Sequence, residues 1–318
     1  MIMTQDLRTR FQTYVPLAVL AVLVVLVGTY DATFFSRANI LGVTADTMTL
    51  FLMASGVTLV IMIGGIDLSI QAVASMTSCI LAAYLPRLGF FAVPLAVAGG
   101  LVAGLTGGLV STRLKIPSFI ATLAVSGVVL SAGYWFSATR SIDISGQDST
   151  TYLSWAVGES FGVPNEIWIG VFFLVLLSAI LELTPFGRLV RAIGSQERAV
   201  IASGIDVDRT KIATYTLSGT MAGIAGIVMA ARLGSGSPTL ANEFLLPAIA
   251  CIIVGGTAIT GGVGSVWRTF VGALIVQVVR IGMTFVGISV YTQQIVFGFI
   301  LVAAVAATMD RAKVSVIK

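Results

Sequence analysis

The chain has 318 residues, 57% of them hydrophobic and only 10% charged, where a soluble domain has about 45–50% apolar and about 25% charged residues. No water-soluble core absorbs that surplus, so a soluble domain, a disordered chain, a coiled coil, collagen and a disulfide scaffold are all excluded. Histidine is absent, and Cys79 and Cys251 lie inside apolar runs, which removes the commonest general base and metal ligand and implies no disulfide framework.

The apolar runs are long and continuous, as in Val15 to Gly28 and Ile167 to Leu181, without the alternation of a barrel strand. Lipid then leaves only helices to satisfy the backbone. The sequence predicts an all-α integral membrane protein, a single transmembrane domain over 1–318 with about ten helices. The first span, 15–30, follows Arg8 and Arg10 like a signal-peptide core, but no Ala-x-Ala-like site follows and it reads as a helix. The second, 43–63, carries Asp46 and ends at Gly64-Gly65. Asp67 then precedes Ser69 at the start of the third, 68–85, which carries Gln71. Asp67 reads either as a cap placing negative charge at the positive end of the helix dipole or as part of a hinge or gate.

The fourth span, 90–111, is rich in glycine (Gly99-Gly100, Gly104, Gly107-Gly108), and the fifth is 118–138. Thr139 to Asn165 is a polar loop with Asp143, Asp148 and Glu159, read as periplasmic. The sixth span, 166–184, holds Glu182. Pro185 to Lys211 is basic and read as cytoplasmic; within it Ser195 to Ser203 reads as a short helix, with Ser195 as N-cap and Gly204 as its stop. That helix is either a docking surface or a solvated connector. The seventh span, 212–231, carries Gly219, Gly223 and Gly226, and spans at 245–260, 266–287 and 292–309 complete the series. Small residues at three- and four-residue spacing bring helices close, and the same smooth faces suit sliding during gating.

Polar side chains within spans are costly. Asp46 and Glu182 lie near span ends, where they reach water. Gln277 and Arg280 share one helix face, suited to a polar path or to hydroxyl contacts, and a glutamine serves equally as a helix-to-helix hydrogen bond, as do Gln293 and Gln294. With the N-terminus inside, 13 of the 18 Lys and Arg fall on cytoplasmic segments and 4 outside, with Arg280 within a span. The positive-inside rule places both termini in the cytoplasm and assigns the net charge of +4 to orientation rather than to nucleic acid. No Gly-Lys pair exists, so there is no phosphate-binding loop, and Gly261-Gly-Val-Gly264 lies between spans with no strand before it. No catalytic residue and no metal site is predicted. Uphill transport then draws on an ion gradient or on another subunit.

Nine ordered stretches make the chain similar to the permease subunits of ribose-type ATP-binding-cassette sugar importers. They are Gly64-Gly-Ile-Asp-Leu-Ser69, Arg113-Leu-Lys-Ile-Pro-Ser-Phe-Ile-Ala-Thr-Leu123, Thr184-Pro-Phe-Gly-Arg188, Ala192-Ile-Gly-Ser-Gln-Glu197, Ser203-Gly-Ile-Asp-Val-Asp208, Leu217-Ser-Gly219, Ala230-Ala-Arg-Leu-Gly234, Ile253-Val-Gly-Gly-Thr257 and Gly261-Gly-Val-Gly-Ser265. The resemblance covers essentially the whole chain. It implies a type II-like importer domain in a bacterial inner membrane, paired with a second copy or a related permease, with two nucleotide-binding ATPase subunits that carry ATP and Mg and with a periplasmic sugar-binding protein. This chain itself then binds no cofactor and is not the enzyme. By the same resemblance, Gly194, Ser195, Gln196, Glu197, Arg198, Ala199, Ser203 and Gly204 belong to the element coupled to the ATPase. The loop from Leu233 to Phe244, with Ser235, Ser237 and Pro238, lies near an outer gate. Asp67, Ser69, Gln71, Gln277 and Arg280 are the further candidates for path or gate. Family members commonly have Gly in place of Gln71 and Asn in place of Arg280. A charge at 280 points either to an altered substrate or to pairing with an acid of a second permease chain. An ion-coupled secondary transporter is the alternative; its coupling acid would be Asp46, Asp67 or Glu182, all near span ends. A membrane scaffold fits the glycine-rich helices less well.

Overall fold

The computed structural model describes the backbone of residues 2–308 and the side chains of residues 15–303 and 306. Five long helices open the chain: α1 (Ile2–Tyr30), α2 (Arg37–Met62), α3 (Ile70–Leu88), α4 (Ala92–Arg113) and α5 (Ser118–Ser137). A connecting segment follows with strand β1 (Ile142–Asp143), short helices α6 (Gly146–Tyr152) and α7 (Ser154–Val157), and the hairpin β2 (Glu159–Ser160) and β3 (Val163–Pro164). Then come α8 (Asn165–Leu183), α9 (Pro185–Ala202), α10 (Val207–Leu233), β4 (Ser235–Gly236), α11 (Leu245–Val254), α12 (Val266–Phe285) and α13 (Val290–Thr308).

Among the described residues, six stretches are long and apolar enough to cross a membrane: 37–62, 70–113, 118–137, 165–183, 207–233 and 266–285. The stretch 70–113 is a hairpin of α3 and α4, reversed at Gly89 with φ +53°. Apolar helices at 15–30, 245–254 and 290–303 are shorter. Helix ends differ from the sequence reading where side chains cap them. Helix α2 begins six residues before the predicted 43 because Ser36 Oγ accepts from the Asn39 amide at 3.3 Å, an N-cap satisfying an otherwise orphan donor. Helix α10 begins at Val207, with Asp206 as its cap. The span expected over 245–260 ends as a helix at Val254, because Gly256 turns to φ +88°, the left-handed stop that favours glycine. Residue 309 of the last predicted span, and Arg311, Lys313 and Lys318 of the charge count, lie outside the described residues, as do the side chains of Arg8 and Arg10. Between α1 and α2, hydrogen bonds from the Thr33 side chain and backbone hold the exposed Asp31 carboxyl below its ordinary range.

Helix α2 is the buried axis of the molecule. Every residue from Thr47 to Met62 is inaccessible or nearly so, as expected for a helix apolar on all sides and enclosed by others. Helices α8, α10, α11 and α12 surround it. Helix α4 meets α10 through glycines four apart: a Cβ at Gly100, Gly104 or Gly108 would stand about 3.0 Å from the Cα of Gly223, Gly219 or Ile212. Such stripes let backbones touch where lipid gives no hydrophobic drive for helix association. At one end of the bundle β1 pairs antiparallel with β4, setting Ile142 opposite Gly236 and Asp143 opposite Ser235. The 139–165 and 233–244 segments therefore meet there, and α9 lies at the opposite end of α10.

Candidate functional site

The predicted residues collect in three places along the bundle. At the α9 end, Pro185 occupies the first turn of the helix, where its missing N–H is no loss. Val190 and Ile193 bury one face. Gly194 then lies so close to the tip of α2 that a Cβ would strike the Met62 carbonyl oxygen and the Gly262 nitrogen, while the Gly262 amide donates to the same Met62 carbonyl at 2.8 Å. Just past this contact the backbone leaves the helix at Gln196, with φ −158° and ψ 75°. A short second segment runs to Ala202 and stops at Gly204, with φ +79°.

The structure thus corrects the N-cap expected at Ser195. That hydroxyl donates back to the Arg191 carbonyl at 2.8 Å and belongs to the first segment; the break sits at Gln196. Glu197 accepts from Lys211 Nζ at 2.6 Å and ties the second segment to α10. Arg198, Ala199, Ser203 and Gly204 face outward, Ser203 donates to the Ala199 carbonyl, and Ile201 and Ile205 expose 52% and 40% of their surface. Behind this elbow a 690 Å³ cavity is lined by Lys115, Glu197, Asp208, Lys211 and Tyr215 among others. Glu182 reaches water as expected and is also paired with Arg191 at the root of α9.

Close to the tip of α2, Asp67 is 1% exposed. Its Oδ1 accepts from the Ser69 amide at 2.9 Å and the Ser69 hydroxyl at 2.6 Å, and its Oδ2 from the Ser218 hydroxyl of α10 at 2.7 Å. Ser69 is the residue in the N-cap position of α3, so Asp67 acts one step earlier, binding the start of α3 to α10. Backbone amides of Ile66 and Leu68 donate to Ser118 and Thr122 of α5. Gln71, on the next turn, is half-buried.

At the β1–β4 end lies the third group. Gln277 is 3% exposed and its Nε2 donates to Asp46 Oδ2 at 3.2 Å. Asp46 Oδ1 pairs with Arg232 Nη1 at 2.5 Å, and Arg232 Nε stands 3.8 Å from Glu166. Arg280 lies over the Phe244 ring, 5.2 Å from its centroid, a favourable cation–π position. Asp46, Arg232, Phe244, Gln277 and Arg280 line a 300 Å³ cavity together with Thr49 and Thr284. Sequence reasoning placed Asp46 near a span end within reach of water and Arg232 among the outside charges, and it did not single out Glu166. Their signal was depth: each stands within about two to three turns of the same end of its helix. Ser235, Ser237 and Pro238 are elsewhere, against α3, where Ser237 exchanges hydrogen bonds with Ser78 at 3.2 Å. Among the described residues, no group of three His, Cys, Asp or Glu side chains is placed to hold a metal ion.

An apolar helical bundle whose described residues include six stretches long enough to cross a membrane, with polar groups gathered at its two ends, has the build of a membrane protein. The chain belongs to the family described as branched-chain amino acid transport system / permease component, whose model matches residues 39–305. It is 33% identical over 293 residues to the Ribose import permease protein RbsC of Escherichia coli (strain K12), covering 91% of each chain. To the Ribose import permease protein RbsC of Bacillus subtilis (strain 168) it is 34% identical over 305 residues, 94% of this chain and 92% of that one. To the Fructose import permease protein FrcC of Rhizobium meliloti it is 31% identical over 301 residues, 92% and 84%.

Proposed function

We propose that this chain is the permease subunit of an ATP-driven, binding-protein-dependent sugar importer. In this reading one domain of ten helices, α1–α5, α8 and α10–α13, crosses a bacterial inner membrane with both termini in the cytoplasm. The elbow from Gln196 to Gly204 seats a nucleotide-binding subunit that hydrolyses ATP with Mg. The β1–β4 end receives a sugar-binding protein, and a second permease, identical or related, completes the path. Gln277, Arg280 and Asp46 line an outer vestibule, and Asp67, Ser69 and Gln71 stand near the inner gate. The observation that carries this reading is the similarity to ribose import permeases along more than nine-tenths of the chain. The exposed isoleucines of the elbow, stranded on the charged end of the bundle, suit a protein partner there.

The test is a mild-detergent pull-down of the tagged chain from its native membrane, with mass spectrometry of its companions. A nucleotide-binding subunit in comparable amount is expected, and a second permease sequence would distinguish a mixed pair from an identical one. Recovery of the chain alone, still moving sugar in vesicles under an ion gradient, would overturn the reading.

A further inference from the structure

The 300 Å³ cavity at the β1–β4 end has an uneven charge account. Asp46 is fully engaged: one oxygen takes the Arg232 guanidinium at 2.5 Å and the other the Gln277 amide at 3.2 Å. Arg232 is shared between Asp46 and Glu166, so two carboxylates answer one guanidinium. Arg280 has a different environment. Its guanidinium rests on the Phe244 ring, it lines the cavity, and among the described residues it forms no salt bridge. An arginine presents a planar fork of donors matched to a carboxylate, and stacking on an aromatic face holds that plane while leaving its edge open.

Two guanidiniums stand here against two carboxylates, Asp46 and Glu166, but both carboxylates pair with Arg232, which leaves Arg280 as the guanidinium of the cavity lining without a salt bridge. A single carboxylate matches the open fork of Arg280. A phosphate ester near −2 would bring surplus negative charge toward Asp46. Gln277, Thr49 and Thr284 around the same space supply partners for hydroxyl groups, and the volume suits one sugar ring. We propose that this cavity binds a monosaccharide bearing a carboxylate, with Arg280 as the residue that selects the acid over the neutral sugar. The proposal rests on the reading of this chain as a sugar permease.

The test uses the full chain in lipid nanodiscs and follows thermal stabilisation and tryptophan fluorescence. The probes are D-glucuronate and D-galacturonate against D-glucose and D-galactose, each pair differing only at C6, with D-glucose 6-phosphate as a third class. The expected result is binding of the uronates at least about tenfold tighter than the hexoses, a preference abolished in Arg280→Gln and partly kept in Arg280→Lys, which retains charge without the fork. Equal binding of acids and hexoses, or a preference that survives Arg280→Gln, overturns the acid class while leaving a sugar site in place. Tighter binding of glucose 6-phosphate overturns it in favour of phosphate esters. Binding of none of the five removes the cavity from the path and the proposal with it, whereas the permease reading stands or falls separately on the ATPase pull-down. Dissociation of the particle in Arg280→Gln, seen by mass photometry, overturns the proposal by assigning Arg280 to contact with a second chain.

Discussion

Asp67 holds a carboxylate where water hardly reaches, and three donors from Ser69 and Ser218 are what make that tolerable. Leaving a buried acceptor without its donor costs about 1–3 kcal/mol. Ser218→Ala should therefore lower the melting temperature of the solubilised protein by an amount corresponding to that range, since among the described residues Oδ2 accepts from Ser218 alone; an unchanged melting temperature would mean the Ser218 contact contributes nothing. Glu197 is the opposite case. Its pair with Lys211 is part-exposed, and such pairs are worth roughly 0–1 kcal/mol, so its loss barely affects folding. Glu197→Lys should nonetheless abolish sugar uptake and weaken ATPase attachment, with membrane insertion and melting temperature near those of the unaltered protein. Survival of both uptake and attachment would remove Glu197 from the docking surface.

Between α4 and α10 the controlling quantity is backbone separation. Gly104→Leu must push the pair apart, because even a Cβ there meets the Gly219 backbone, and overpacking of a tight interface costs about 1–3 kcal/mol or more. Gly127→Leu, on the open face of α5 with nothing within 4 Å, is the matched control. Yield of monodisperse protein in detergent should fall for the first and hold for the second; equal yields would show that the close approach is dispensable. These helices were legible in the sequence because each is a long apolar run with small residues at fixed spacing, a local signal. The bend in α9 was not. Its first segment follows from Pro185 and the Val190–Ile193 face, but Gln196 breaks the helix beside Gly194, where α9 meets Met62 and Gly262, more than sixty residues away in either direction. The charge cluster at the β1–β4 end was partly legible. Gln277 and Arg280 stood out within an apolar run, whereas Asp46, Glu166 and Arg232 come together only through the packing of α2, α8 and α10.

Across the whole molecule, α10 joins the two ends: Lys211 near its start answers Glu197 of the elbow, and Arg232 near its finish answers Asp46. Its 27 residues make a rod about 40 Å long, whereas the hydrocarbon layer is about 30 Å thick. A rod longer than the film it crosses must lean or stand proud of it. Asp206, Asp208, Arg209 and Lys211 crowd its first turns, and charges of that density draw this end, with the elbow beside it, out among the headgroups. Bilayer thickness thereby becomes a control on the machine. Lipids with longer acyl chains should pull the elbow toward the surface and slow transport per complex, and shorter chains should restore it, measured in proteoliposomes of defined chain length; a flat dependence would mean that tilt absorbs the whole mismatch.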